Sequence, residues 1–469
     1  MSYRPRGGEC FYSTSDVAAT GVTVQRAIEG DRPYLYHFKP RFRRDKYLAM
    51  RLKLVVLSSL CVCAASLQAA DFNLAAKATN QLGVDLHRQL ARGDDNLCLS
   101  PYSIQSALAM TYAGADGDTR SEMARVLHFP ADGDAIHSSF ASLQASLREM
   151  SQKTAKIAEQ SKKHSGPSEP ITLSIANRLF AQSDYEFREL FRELVKKFYG
   201  APFETLDFKQ NPEAGRAHIN KWVADQTRDK IRDLIPQGGI QELTRLVLAN
   251  AIYLKAPWAS EFNDRLTQPK PFHVRGSAAV DVPTMNNRTM FGYAKRDGFT
   301  AVSIPYSGSE LHLVLLVPNE VTGLKNLESR LSPELLAECA KLQPQDVNLE
   351  VPKFKITPPT IPLKENLEAL GMKTAFDDPQ GSANFDRMSP RKPNQYLAIS
   401  NVFHKTFLAV DEKGTEAAAA TAVIMLEVSA RRQEPKEPIH VKVDRPFLYA
   451  IQHVPSGACL FIGRVTDPR

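Results

Sequence analysis

The sequence predicts one large α+β domain. Segments with helical periodicity come first, near-continuous apolar runs of strand length cluster in the second half, and no internal repeat welds the two into βαβ units. With 43% hydrophobic and 24% charged residues in 469, the composition is that of a globular chain able to bury a large core.

The N-terminus stands apart from this domain. Residues 1–70 carry 11 Lys and Arg against 5 Asp and Glu, so the formal charge of +7 falls to +1 beyond them. That balance argues against nucleic acid as a partner. Residues 1–49 are Arg-rich without periodicity and read as an extension, disordered or a mis-assigned start, outside the fold. From Met50 the pattern changes: Arg51 and Lys53, an apolar run from Leu54 to Ala65, then Ser66-Leu67-Gln68-Ala69-Ala70. This predicts a secretory signal peptide over 50–70, cut near Ala69 or Ala70, and too short to span a bilayer. The expected location is therefore secreted or periplasmic, with no membrane partner. Three cysteines remain beyond it, Cys98, Cys339 and Cys459, at unrelated spacings. They offer neither a disulfide framework nor a metal pair and read as small buried hydrophobes; no metal or cofactor is expected.

From Asp71, an N-cap candidate, Leu82, Leu86 and Leu90 repeat on one helical face until Gly93-Asp94-Asp95. A second helix after Ser103 buries Ile104, Ala107, Leu108 and Thr111 and stops at Gly114 and Gly117. The Lys-, Gln- and Ser-rich stretch from Glu149 to Pro170 reads as a solvated loop. Ile219, Trp222, Val223, Thr227 and Ile231 keep helical spacing, which predicts an amphipathic helix over 211–231, ended before Pro236. Leu246 to Leu254 and Leu311 to Val317 are continuous apolar runs, as in strands covered on both faces. Val347, Leu349, Val351, Phe354 and Ile356 alternate with a slip at Pro352 that suggests an edge or bulge.

Four ordered motifs carry more than periodicity. The first is Asn96-Leu97-Cys98-Leu99-Ser100-Pro101-Tyr102-Ser103-Ile104; the second is Asn250-Ala251-Ile252-Tyr253-Leu254-Lys255-Ala256-Pro257-Trp258. The third runs from His404-Lys405 into Val410-Asp411-Glu412-Lys413-Gly414-Thr415-Glu416-Ala417-Ala418-Ala419-Ala420-Thr421, and the fourth is Val443-Asp444-Arg445-Pro446-Phe447 with Phe461-Ile462-Gly463-Arg464-Val465 closing it. At these separations, from about Phe72 to Pro468, the chain resembles the serpin family. The resemblance implies a single domain over 71–469 with three β-sheets, eight to nine helices and an exposed C-terminal reactive loop at about 412–440. It implies a monomer that is not an enzyme but a suicide-substrate inhibitor of serine, or cysteine, endopeptidases. By the same resemblance Ser100, Ser103, Asn250 and His404 lie beneath the centre of the main sheet, and Trp258 near the top of its opening, all as structural groups. The alternative within the family is a non-inhibitory carrier or chaperone.

The hinge has its own physics. Gly414 offers a pivot, and Ala417, Ala418, Ala419, Ala420 and Thr421 are small enough to slide between two strands; alternation would send Thr415, Ala417, Ala419, Thr421 and Val423 to one face. No charged or bulky side chain stands at Thr415 or Ala417 to oppose burial. Counting seventeen residues from Glu412, the family spacing puts the cut at Val428-Ser429, which suits an elastase-like enzyme with a restricted apolar pocket. Arg431 or Arg432, for a trypsin-like protease, Leu426, for a chymotrypsin-like one, and Met425 are the other candidates. Neither a GxSxG elbow nor HExxH nor a P-loop points to a hydrolase.

Overall fold

In a computed structural model the described residues are 73–130, 133–162, 169–200, 203–392, 395–416 and 437–469, all in one compact unit spanning Cys61–Arg469. Two sheets organise it. The nine-stranded sheet runs Leu97–Leu99, Ala458–Val465, Phe447–His453, Leu311–Pro318, Phe299–Pro305, Ala279–Arg296, Pro344–Pro352 and Ile439–Lys442, with Gln268–His273 beside Ala279–Arg296. Two of the three sheets implied by the resemblance are thus joined, because the 18-residue strand Ala279–Arg296 pairs with Pro344–Pro352 along one stretch and with Phe299–Pro305 along the next.

The eight-stranded sheet positions the site. Its spine is Leu246–Pro257, whose burial on both faces explains the uninterrupted apolar run. Thr172–Gln182 pairs antiparallel along one side of it. On the other side Ile399–Thr406 pairs parallel, but only from Leu246 to Ile252. One face rests on the main core, into which the helix Pro101–Tyr112 buries every residue. The opposite face carries a second apolar cluster: Phe208, Ile219, Val223, Ile231, Leu234 and Ile235 cover Val247, Ala249, Ala251 and Phe403.

Local readings differ from the structure in three places, each for a physical reason. The expected loop 149–170 is helical as far as Lys162, within Ala135–Lys162. Leu143, Leu147, Met150, Thr154 and Ala158 form its buried stripe, and the polar composition is merely the wet side of that helix. The expected helix 211–231 is Pro212–Gln226; Thr227 Oγ1 donates to the Val223 carbonyl and accepts from the Ile231 amide at 3.2 Å, and Arg228 and Asp229 turn through positive φ. Ile231 is buried all the same, beyond the helix. The slip at Pro352 is a change of sheet: Pro344–Pro352 belongs to the nine-stranded sheet and Phe354–Ile356 to the other, with Lys353 at the crossing. The first helix is described over 73–90; Asp71 lies outside the described residues.

Candidate functional site

The site is a place where two strands part. Beyond Ile252 and Thr406 the spine and its parallel neighbour no longer pair. The neighbour continues as Leu408–Asp411, and Gly414–Thr415 enters the widening gap. There Thr415 is antiparallel to Val410 on one side and Ala256 on the other, and Gly414 to Asp411 and Pro257. The hinge has already been admitted by two residues.

Sequence dictates this turn. Asp411 Oδ1 accepts from the amides of Lys413 and Gly414 at 2.9 and 3.2 Å, closing a tight reversal. Gly414 has φ +156°, and a Cβ there would lie 2.1 Å from the Ala256 carbonyl oxygen, so only glycine fits. Glu412 is buried: Oε2 accepts from Lys353 Nζ at 2.7 Å and Oε1 from Thr267 Oγ1 at 2.8 Å, while its carbonyl receives the Phe262 amide. Burial works to raise the Glu412 pKa, but the hydrogen bond from Lys353 and its other partners outweigh it and hold the carboxyl below its usual range.

Thr415 is fully buried, its hydroxyl 2.5 Å from the Tyr306 phenol. Tyr306 stacks on Trp258 at 4.5 Å between centroids, and Trp258 Nε1 donates to the Asp411 carbonyl at 2.9 Å. Trp258 therefore sits at the open end of the gap, as packing and as a clamp on the turn.

The closed end is sealed by polar groups. Asn250 and His404 are cross-strand partners, His404 Nδ1 lying 2.5 Å from Asn250 Oδ1. His404 Nε2 is 3.1 Å from the Ser100 amide, a donor only, so Nε2 accepts and Nδ1 carries the proton toward Asn250. Full burial lowers the His404 pKa to about 3, which keeps the ring neutral. Asn250 Nδ2 donates to Ser103 Oγ at 2.7 Å and Asn177 Oδ1 at 2.6 Å; Ser103 Oγ donates to Asn177 Oδ1 at 2.8 Å. Ser100 caps the helix Pro101–Tyr112 through its hydroxyl. The structure thus brings Ser100, Ser103, Asn250 and His404 into one buried network just below the point of parting.

Sequence reasoning gave no role to Asn177, Tyr306, Lys353 or Thr267, although Thr267 follows the Asn250–Trp258 motif in the resemblance. Asn177 left a weaker signal, a polar pair with Arg178 set between Ile175-Ala176 and Leu179-Phe180; in the register it lies opposite Asn250. The other three hold the hinge from distant segments, which no local pattern reveals. Ala417–Thr421, Leu426, Val428, Ser429, Arg431 and Arg432 lie outside the described residues. Among the described residues no group of three or more His, Cys, Asp or Glu could hold a metal ion. Cys98, Cys339 and Cys459 are free and buried; burial raises the Cys98 thiol to about 11 and Cys339 to about 12, and Cys459 further still, so all three stay protonated and inert.

Residues 77–468 match the family described as Serpin (serine protease inhibitor). The horse (Equus caballus) leukocyte elastase inhibitor is 35% identical over 403 residues, 83% of this chain and 98% of that protein. The crystal structure of a highly specific serpin of the insect Tenebrio molitor aligns at a TM-score of 0.67 and 30% identity, over 85% of this chain and 99% of that one. Human thyroxine-binding globulin, complexed with thyroxine, aligns at a TM-score of 0.69 and 26% identity over 85% of this chain and 99% of that one.

Proposed function

Because the chain belongs to the serpin family, we propose that it is a single-use inhibitor of serine endopeptidases, trapping the acyl-enzyme by drawing its own cut loop into the eight-stranded sheet. The observation that carries this reading is the gap itself, with Gly414–Thr415 seated between Leu246–Pro257 and Leu408–Asp411. Continuing that register pairs Glu416 with Lys255 and Ala409, Ala417 with Leu254 and Leu408, and Ala418 with Tyr253 and Phe407. Those positions are already parted. Ala419 would be the first to force two paired residues asunder, Ile252 and Thr406, and Thr421 would arrive between Asn250 and His404.

The sequence suits that path. Ala417, Ala419 and Thr421 would face the core, and none is larger than threonine. A dozen or so residues seated between two strands gain about two backbone bonds each and sacrifice one ladder, for a net of roughly 10 kcal/mol at about 1 kcal/mol per bond. This rivals the whole stability of an ordinary domain. An uncut loop is tethered at both ends; cleavage releases it, a strain-release mode the physics of loop insertion already describes for this family.

The bond proposed for cleavage is Val428-Ser429, with an elastase-like target. Similarity to an elastase inhibitor supports that class. Arg431 or Arg432 would serve a trypsin-like protease and Leu426 a chymotrypsin-like one. Secretion or periplasmic export through residues 50–70 and action as a monomer complete the proposal. The second reading, a carrier, is favoured by the fold shared with thyroxine-binding globulin. Mixing the purified protein with pancreatic elastase, trypsin and chymotrypsin separates the two. An inhibitor gives a covalent complex that survives denaturing electrophoresis and a released C-terminal peptide beginning at Ser429. A carrier is simply cut, and the protease stays active.

A further inference from the structure

One residue closes the described part of the hinge. Glu416, next after the seated Thr415, has φ +43°, a left-handed conformation unusual for a side chain of its size. Its amide still reaches the Ala409 carbonyl at 2.8 Å, so the chain keeps the strand's pairing up to that residue. The carboxylate Oε1 is 2.5 Å from Lys230 Nζ, with the Glu416 side chain only 15% exposed. Lys230 comes from the turn after the helix Pro212–Gln226, on the sheet face that this helix covers, and its ammonium also lies 5.5 Å from the Phe407 ring centroid. Phe407 is the residue at which the two strands part.

We propose that the Glu416–Lys230 ion pair is a latch that arrests the hinge at Thr415 until the loop is cut, making these two positioning residues that set the threshold for insertion. The inference rests on the insertion reading above and adds what restrains it. To become a strand residue, Glu416 must leave positive φ and swing its carboxylate toward its new cross-strand neighbour, Lys255. Lys255 is already paired with Glu169 at 2.5 Å. Insertion therefore gives up one cation and meets another that is engaged. Four successive small residues follow Glu416, so nothing else in that stretch opposes entry by size.

The test uses the full protein carrying Trp222→Phe, which leaves Trp258, at the mouth of the gap, as its sole tryptophan. After rapid cleavage by excess elastase, the change in Trp258 fluorescence reports the rate of insertion. Lys230→Gln and Glu416→Gln should each speed it about fivefold, the scale of a partly screened ion pair. The exchanged pair Lys230→Glu with Glu416→Lys should return to the parent rate, a rescue that loss of packing would not produce. Should a variant fail to fold, sodium chloride added to the parent protein should quicken insertion by screening the pair. Unchanged or slower rates in both single variants, or no response to salt, overturn the latch. If the parent gains no thermal stability on cleavage, it is the insertion reading that has failed.

Discussion

One pair of strands behaves in two ways. From Leu246 to Ile252 the spine is zipped to Ile399–Thr406; from Tyr253 to Pro257 it stands apart and holds two residues of the hinge. The apolar character is the same in both halves, and every residue of the spine but Lys255 is buried. What differs is the polar furniture. The zipped half is tied by Asn250 to His404 and Ser103, both fully buried, and to half-buried Asn177. In the parted half, long side chains from elsewhere hold the hinge instead: Tyr306 on Thr415, Lys353 on Glu412, Lys230 on Glu416. On the proposed insertion, a buried network of short side chains would open as a unit, whereas separate tethers would let an incoming strand be accepted step by step.

The strongest challenge to the open half is Thr415→Arg. Burying an unpaired guanidinium where Thr415 now sits costs about 3–5 kcal/mol. Inhibition should fall by about 100-fold or more, and the protein should be cut as a substrate; titration of active elastase against the variant reads both. Unchanged inhibition would show that the gap is not used. The closed half is tested through acid. His404 is neutral, with a folded pKa of about 3 against an ordinary value of 6.5. Because the unfolded chain takes up the proton first, the contribution of the neutral ring is complete above about pH 6.5. It then falls by about 1.4 kcal/mol per pH unit down to about pH 3. Replacing His404 by Gln should flatten the acid limb of the stability curve by about that slope, as measured by urea unfolding between pH 4 and 7, a window of about three units. Equal slopes would place the acid sensitivity elsewhere, in His87, His137 or His453, whose pKa values burial also lowers to about 4.

Much of this contrast was legible in the sequence, and the rest had reasons not to be. Leu246 to Leu254 announced a strand covered on both faces, and Gly414 announced a pivot, because continuous apolarity and a lone glycine before small residues are local signals. The helix at 149–162 was hidden by its own solvent-facing lysines and glutamines. The slip at Pro352 was visible, but a change of sheet and a bulge leave the same mark on a single strand. Lys353, Tyr306 and Lys230 lie 59, 109 and 186 residues from their hinge partners, and no periodicity spans such distances. His404 and Asn250 were named by resemblance alone; which nitrogen carries the proton follows only from the Ser100 amide pointing at Nε2.

A smaller effect is expected from the Lys353–Glu412 tether. With Lys353 38% and Glu412 10% exposed, solvent screening limits the pair to about 1 kcal/mol. Lys353→Ala should lower the melting point of the uncut protein and, by loosening the root of the hinge, hasten insertion; a double-mutant cycle with Glu412→Gln would isolate the coupling. No coupling would mean that Thr267 and the Phe262 amide hold Glu412 unaided.

The most discriminating change is Thr421→Val, which joins the two halves of the comparison. In the register set by Thr415, residue 421 is the one that would separate Asn250 from His404, on the face from which both side chains project. Opening the seal breaks the 2.5 Å contact between them and leaves Asn250 Oδ1 and the His404 Nδ1 proton in want of partners. A hydroxyl both donates and accepts, so Thr421 could answer both, whereas valine has the same shape and answers neither. The cut form should therefore lose about 1–3 kcal/mol, the cost of buried polar groups left unsatisfied. The uncut form, whose seal is closed without Thr421, should melt as before. Calorimetry on the two forms side by side decides it: an equal loss in both would place Thr421 in the uncut core, and no loss in either would shift the register by at least one residue.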